Sequence, residues 1–92
     1  MNPVFEYDPE KSRKNAEKHG IDFEQAQVLW KIKHYIIPVK YVDGEQRYAI
    51  LGRIDDRLHM AVFTHRPPLI RLISCHKTDS RFERIYERSS HE

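Results

Sequence analysis

Four arginines, Arg47, Arg53, Arg66 and Arg71, fall in segments that read as strands, and His65, His76 and Lys77 fall near the ends of such segments. Arginine suits phosphate because its planar fork can hold two oxygens at once. Imidazole, with an ordinary pKa of about 6.5, can give or take a proton near neutrality, which guanidinium cannot. Cations and proton carriers are the parts needed to break a phosphodiester without a metal. One group takes the proton of the attacking hydroxyl, another protonates the leaving oxygen, and cations hold the charge that builds on the phosphate. The six histidines offer no pair at i, i+4 on one helix face, so no metal and no cofactor is expected. The single cysteine, Cys75, excludes an internal disulfide and a Cys-rich zinc site, and reads as a small buried hydrophobe.

The elements that must position these groups can be read in order. A short strand occupies residues 4–7. Asp8-Pro9 then starts a helix, because an Asp side chain caps orphan N–H groups and Pro fits the first helical position. This helix, over 9–19, is mostly polar, with little apolar surface beyond Ala16, and Gly20 ends it. Asp22 opens a second helix over 23–31, with Gln25 placed for a capping box and Ile21 stapling against Ala26. Its inward residues are Phe23, Ala26, Leu29 and Trp30. Four strand segments follow, over 34–42, 46–54, 58–65 and 69–76, divided by Asp43-Gly44, Asp55-Asp56 and Pro67-Pro68. Pro38 marks the first of them as an edge. A last helix starts near Ser80, with Ser80 and Glu83 at capping-box spacing and Phe82, Ile85 and Tyr86 facing inward. On its surface Arg84 and Arg88 pair with Glu83 or Glu87. The order β-α-α-β-β-β-β-α is α+β, with a mainly antiparallel sheet and helices packed against it.

Ninety-two residues suit a single domain, 1–92, with 88–92 as a frayed tail. The 33% of charged residues demands a densely ionic surface, while a net charge of +2 permits a nucleic-acid-facing patch without requiring one. Residues 1–20 are polar and no apolar run approaches membrane-spanning length, so no membrane is expected and the cytoplasm is the expected location.

Phe5, Asp8, Lys11, Asn15, Lys18-His19-Gly20, Phe23 and Ala26, at these offsets, resemble the opening of the BrnT toxin family. Glu45-x-Arg47-Tyr48 with Gly52 is similar to a second block of that family. Phe63-Thr64-x-Arg66 and Arg71-x-Ile73-Ser74 are similar to a third, and Tyr86 falls where the closing helix carries Tyr. The resemblance implies the toxin of a bacterial type II toxin–antitoxin pair, with a RelE-like fold. It implies an RNA endonuclease that needs no metal, inhibits translation, and acts on mRNA, on or off the ribosome. A cognate BrnA-like antitoxin would silence it and carry the DNA-binding part, so operator DNA would be met only through the antitoxin. Placed in that frame, Arg66, Arg71, His76 and Tyr86 are the expected catalytic set, on a sheet surface closed at one end by Tyr86. Lys18, His19, Arg47, Arg53 and Lys77 are the expected RNA-binding set. Simpler explanations stand beside these: Arg47 and Arg53 as solvated strand residues, Tyr86 as a buried structural ring, and His19 as a cation at a helix C-terminus.

Two positions depart from the family pattern. Cys75-His76 stands where the family reads Ala-Arg, and Phe82 stands where it reads Glu, with Glu83 one residue later. One residue rotates a helical side chain by roughly 100°, so Glu83 does not replace the missing one. The leading expectation is a weakened nuclease. The alternative is a catalytically degenerate homologue that serves as a non-enzymatic antitoxin-binding, operon-regulating module. Arg71 and His76 are five positions apart, which in a regular strand places them on opposite faces. They can share a site only if His76 lies where the strand turns away or a bulge intervenes.

Overall fold

Nine elements follow one another in the computed structural model, which describes residues 3–90: β1 (Val4–Glu6), α1 (Pro9–His19), α2 (Phe23–Ala26), a 3-10 turn (Gln27–Trp30), β2 (His34–Val42), β3 (Glu45–Ile54), β4 (Arg57–Arg66), β5 (Leu69–Lys77) and α3 (Ser80–Ser90). The architecture is α+β, and the sheet has five strands in the order β1-β5-β4-β3-β2. β2 to β5 form the antiparallel meander that their short connections dictate. β1 comes back to the far side and pairs in parallel with β5, Val4 opposite Leu69 and Glu6 opposite Arg71, so the sheet is mixed. β2, with Pro38, is the other edge, and a bulge leaves Val39 outside the ladder.

Strand alternation sends successive side chains to two faces, and both are covered. On one, Phe23, Ala26 and Leu29 pack over Ile50, Ala61, Phe63, Leu72 and Cys75. On the other, Tyr86 and Phe82 of α3 pack over Ala49, Leu51, Leu58 and Met60. Gly52 is required by the first packing. A Cβ there would come within 2.9 Å of a Leu29 methyl and 3.2 Å of one on Ile32.

α1 does more than its polar sequence suggests. Its buried residues are Ser12 and Asn15 rather than apolar ones. β1 pairs with β5 only as far as Arg71, and α1 covers the rest of that edge. The Asn15 amide donates to the Cys75 carbonyl (2.7 Å) and accepts from the Cys75 N–H (3.3 Å), and it also donates to the Ile21 carbonyl (2.7 Å). Both backbone groups of an otherwise open strand edge are thereby satisfied. Ser12 Oγ accepts the Phe23 N–H at 2.9 Å, tying α1 to the start of α2.

Several local expectations are corrected. The helix expected over 23–31 is α-helical only to Ala26, then tightens into the 3-10 turn. The tighter winding lines up residues three apart, and it places Ala26 and Leu29 together in the core. The cap of α3 is Asp79 rather than Ser80: its carboxylate accepts the Arg81 N–H at 3.0 Å, which leaves Glu83 free for another role. Phe82 and Tyr86, four apart, face the sheet, whereas Ile85 lies on the flank and is exposed. α3 runs to Ser90, and residues 91 and 92 of the expected tail lie outside the described residues.

Candidate functional site

The register of the sheet sets four residues in one row across four strands: Arg47 is opposite Thr64, Thr64 opposite Arg71, and Arg71 opposite Glu6. One step along, Arg66 grips Glu45 at two points, Nε to Oε2 at 2.8 Å and Nη2 to Oε1 at 3.2 Å. Arg66 and Arg71 also converge on Glu6, their Nη1 atoms lying 3.9 and 3.7 Å from its Oε1. Lys11 from α1 lines a cleft of about 210 Å³ together with Glu45, Arg47, Thr64, Arg66 and Arg71. Thr64 is the buried floor, its hydroxyl donating to the Gln46 carbonyl at 2.9 Å.

Four cations here face two carboxylates. The Arg66 hydrogen bond holds the Glu45 carboxyl below its usual range, and the charges of Arg66, Arg47 and Arg71 add to that. Glu45 therefore stays ionised, a counter-ion rather than a proton acceptor. Arg47 has no carboxylate within ion-pair distance among the described residues, and its Nε is buried without a hydrogen-bond partner.

His76 sits elsewhere on β5. The ladder pairs Leu72 with Phe63 and Ser74 with Val62, leaving Ile73 as an extra residue. This bulge restores the parity that five positions would have broken: Arg71 is opposite Thr64 and His76 opposite Met60, an even separation on β4. That separation is about 13 Å along the strand, too far for both to hold one phosphate. The neighbours of His76 are instead Lys18 and His19 at the end of α1 and Lys77 on its own strand, around a cleft of about 480 Å³. The His19 and His76 ring centroids are 5.5 Å apart. Asp8 and Gly20, which start and stop α1, thus bring Lys18 and His19 to the end of β5.

Tyr86 and Arg53 belong to a third place. Arg53 pairs with Glu83, lies 3.6 Å from Glu87, and sets its guanidinium 5.3 Å from the Tyr86 ring centre. The Tyr86 hydroxyl donates to the Lys33 carbonyl at 3.4 Å. Arg53 is six residues along β3 from Arg47, about 20 Å, so Tyr86 does not close the arginine cleft. Arg53, expected to bind RNA, anchors α3, and Glu83, expected as a cap, is its partner. His65 is exposed at the end of β4 against Tyr48 and Phe63.

Reading the sequence left Lys11, Glu6 and Glu45 out of the site. The spacing of Lys11 and Lys18, seven positions apart and so on one helix face, was the available signal. Lys11 lines the arginine cleft and Lys18 the histidine cleft, which makes the α1–β5 seam a basic track with a cluster at each end. Among the described residues, no three His, Cys, Asp or Glu are grouped to hold a metal ion, and no helix is long and apolar enough to cross a membrane.

A family model described as the ribonuclease toxin, BrnT, of type II toxin–antitoxin system matches residues 7–81. The chain belongs to that family. The matched stretch holds both clusters of the seam, from Lys11 to Lys77, and leaves out Glu6 and Tyr86. No curated protein matches the chain.

Proposed function

We propose that this ribonuclease toxin cuts mRNA without a metal, so blocking translation, and that a BrnA-like antitoxin silences it by covering the α1–β5 seam. The observation that carries this reading is the convergence of Arg66 and Arg71 on one carboxylate oxygen beside Arg47. Three guanidiniums around a buried threonine form a receptor for phosphate, and a carboxylate now stands where an RNA oxygen would bind. Lys11 and Lys18 continue the positive track to His76 and Lys77, so a single strand laid along α1 would meet cations at both ends.

In this reading Arg66, Arg71 and Arg47 hold the backbone and stabilise its charge, and His76 moves a proton at the other end of the track. Tyr86 and Arg53 leave the RNA-facing set. The departure at Phe82 then costs less than the family pattern implies, because α3 lies away from the seam and Phe82 packs on the sheet. We read the fold as RelE-like, and the antitoxin as the bearer of operator recognition, with the pair working in the cytoplasm. An acidic antitoxin segment on the seam would compete directly with RNA phosphate.

Induced expression tests this. The chain alone should arrest growth, co-expression of the cognate antitoxin should relieve the arrest, and Arg66→Ala with Arg71→Ala should abolish it. Normal growth with soluble wild-type chain at full abundance would instead favour the degenerate, antitoxin-binding module.

A further inference from the structure

We propose that His19 and His76 are the acid–base pair of the cleavage step, His19 accepting the proton of the attacking 2′-hydroxyl and His76 protonating the departing 5′-oxygen. The inference rests on the ribonuclease reading above. Its ground is geometry. The two rings lie 5.5 Å apart, centre to centre, and wall one cleft with Lys18 and Lys77. In-line displacement at phosphorus puts the attacking and leaving oxygens on opposite sides of the phosphate. Two proton carriers lining one cleft can serve one oxygen each, while two ammonium groups hold the non-bridging oxygens. The arginine cleft offers cations and counter-ions, but its carboxylate is held ionised, and it contains no imidazole.

The roles divide on hydrogen bonding and surroundings. His76 Nδ1 lies 2.9 Å from the Lys77 carbonyl oxygen. A carbonyl only accepts, so Nδ1 carries its hydrogen and Nε2 is the nitrogen left to hold or release a proton. Burial first, then the neighbouring His76 and Lys18 charges, hold His19 below the ordinary imidazole range, which favours the neutral ring of a base. The groups facing the pair are Lys18 on α1 and Lys77 on β5. Beyond His19 and Lys77, a second cleft of about 510 Å³ adds Asp55, Arg57 and His59.

The step balances without an oxidant or co-reactant. His19 takes the 2′-hydroxyl proton as the O2′–P bond forms. The P–O5′ bond breaks, and O5′ receives the proton of His76. The products are a 2′,3′-cyclic phosphate and a 5′-hydroxyl, and proton exchange with water restores both rings. The substitution of His76 for the family's Arg thus supplies a proton donor where only a charge stood.

The test uses the purified chain, an RNA oligonucleotide with one scissile linkage, and the same oligonucleotide with sulfur replacing the bridging 5′-oxygen. A thiolate leaves without protonation, so that substrate does not need the acid. Wild-type rate against pH should be bell-shaped. His19→Gln and His76→Gln should each lower RNA cleavage roughly 10²–10⁴-fold, with unchanged circular dichroism. His19→Gln should lose the acid limb and His76→Gln the alkaline limb. The sulfur substrate should restore His76→Gln and leave His19→Gln slow. His76→Arg, which keeps a charge but cannot release a proton at neutral pH, should follow His76→Gln. Either Gln variant cleaving at the wild-type rate, or sulfur rescuing both or neither, would overturn the pair while leaving the ribonuclease reading intact. A wild-type chain that cleaves neither substrate overturns both.

Discussion

Arg66 and Arg71, five positions apart and on different strands, share a single acceptor: Oε1 of Glu6 lies 3.9 Å from one Nη1 and 3.7 Å from the other. The parallel pairing of β1 with β5 makes this possible, because it sets Glu6 opposite Arg71. In the proposed reading this carboxylate, held between two guanidiniums, competes with an RNA phosphate oxygen for them. Glu6→Gln removes that competitor, so it should tighten binding of a short single-stranded RNA and steepen its salt dependence by about one unit of slope. Fluorescence anisotropy over a salt series measures both, and weaker binding would mean that Glu6 orders the arginines instead of competing for them.

Arg71→Ala should lower cleavage at subsaturating RNA about tenfold or more by weakening RNA binding, because it loses a charge-assisted contact to a phosphate about 13 Å from the histidine cleft. Its effect on folding should stay near 0.5 kcal/mol, as for surface charges in general. Early melting with full specific activity would show the residue to be structural.

Arg53→Ala should behave in the opposite way. The residue grips Glu83 and covers Tyr86, so its loss loosens α3 at a cost of about 1 kcal/mol, little of it from the half-exposed ion pair. RNA cleavage should remain at the wild-type rate. Tyr86→Phe should leave both properties nearly unchanged, whereas Tyr86→Ala should destabilise by about 3 kcal/mol through the cavity it leaves. Denaturant unfolding together with single-turnover cleavage separates these outcomes, and a Tyr86→Phe chain that folds but does not cleave would return Tyr86 to the site.

Asn15→Ala should be among the most damaging single changes in α1, by about 2–3 kcal/mol. It strands the Cys75 N–H and carbonyl at a buried strand edge and frees the Ile21 carbonyl. The neighbouring thiol offers a reporter. Burial pushes Cys75 up to about 12, so it should resist alkylation at neutral pH in the wild type. Asn15→Ala should make it react, and an unreactive Cys75 in that variant would mean that α1 stays docked without Asn15.

The start and stop of α1, the three hairpin turns and the edge position of β2 were legible in the sequence, because Asp8, Gly20, Asp43-Gly44, Asp55-Asp56, Pro67-Pro68 and Pro38 act within a few residues of where they stand. The closeness of Arg66 and Arg71 was partly legible, since they flank a short turn between adjacent strands. What was not legible depends on long-range pairing. No local signal on Val4–Glu6 says that it will lie beside β5, and so Glu6 was missing from the site. The bulge at Ile73 leaves no mark in the residue pattern either, yet it decides which face His76 shares. Tyr86 was misplaced for the same reason: its position in sequence says that α3 is amphipathic, not which end of the sheet α3 covers.

The pH dependence of stability carries a further expectation. Burial and the neighbouring charges depress the folded-state pKa of His19, so the unfolded chain takes up its proton at a higher pH than the native one does. The contribution of this group is present above the ordinary imidazole value and is lost as pH falls through the lower, folded value. The wild-type melting temperature should therefore drop on acidification from about pH 7 to pH 5. The drop should be smaller in His76→Gln, where one of the repelling rings is absent, and an equal drop in both chains would remove the coupling between the two rings.

The most direct test of the central claim is cleavage of a defined mRNA by the purified chain in excess EDTA, read on a sequencing gel. Wild-type chain should cut it, the Arg66→Ala, Arg71→Ala double variant should not, and equimolar cognate antitoxin should stop the wild type. Intact mRNA with folded wild-type chain, or cleavage that persists undiminished in the double variant, would contradict the assignment of the α1–β5 seam as a metal-independent ribonuclease site.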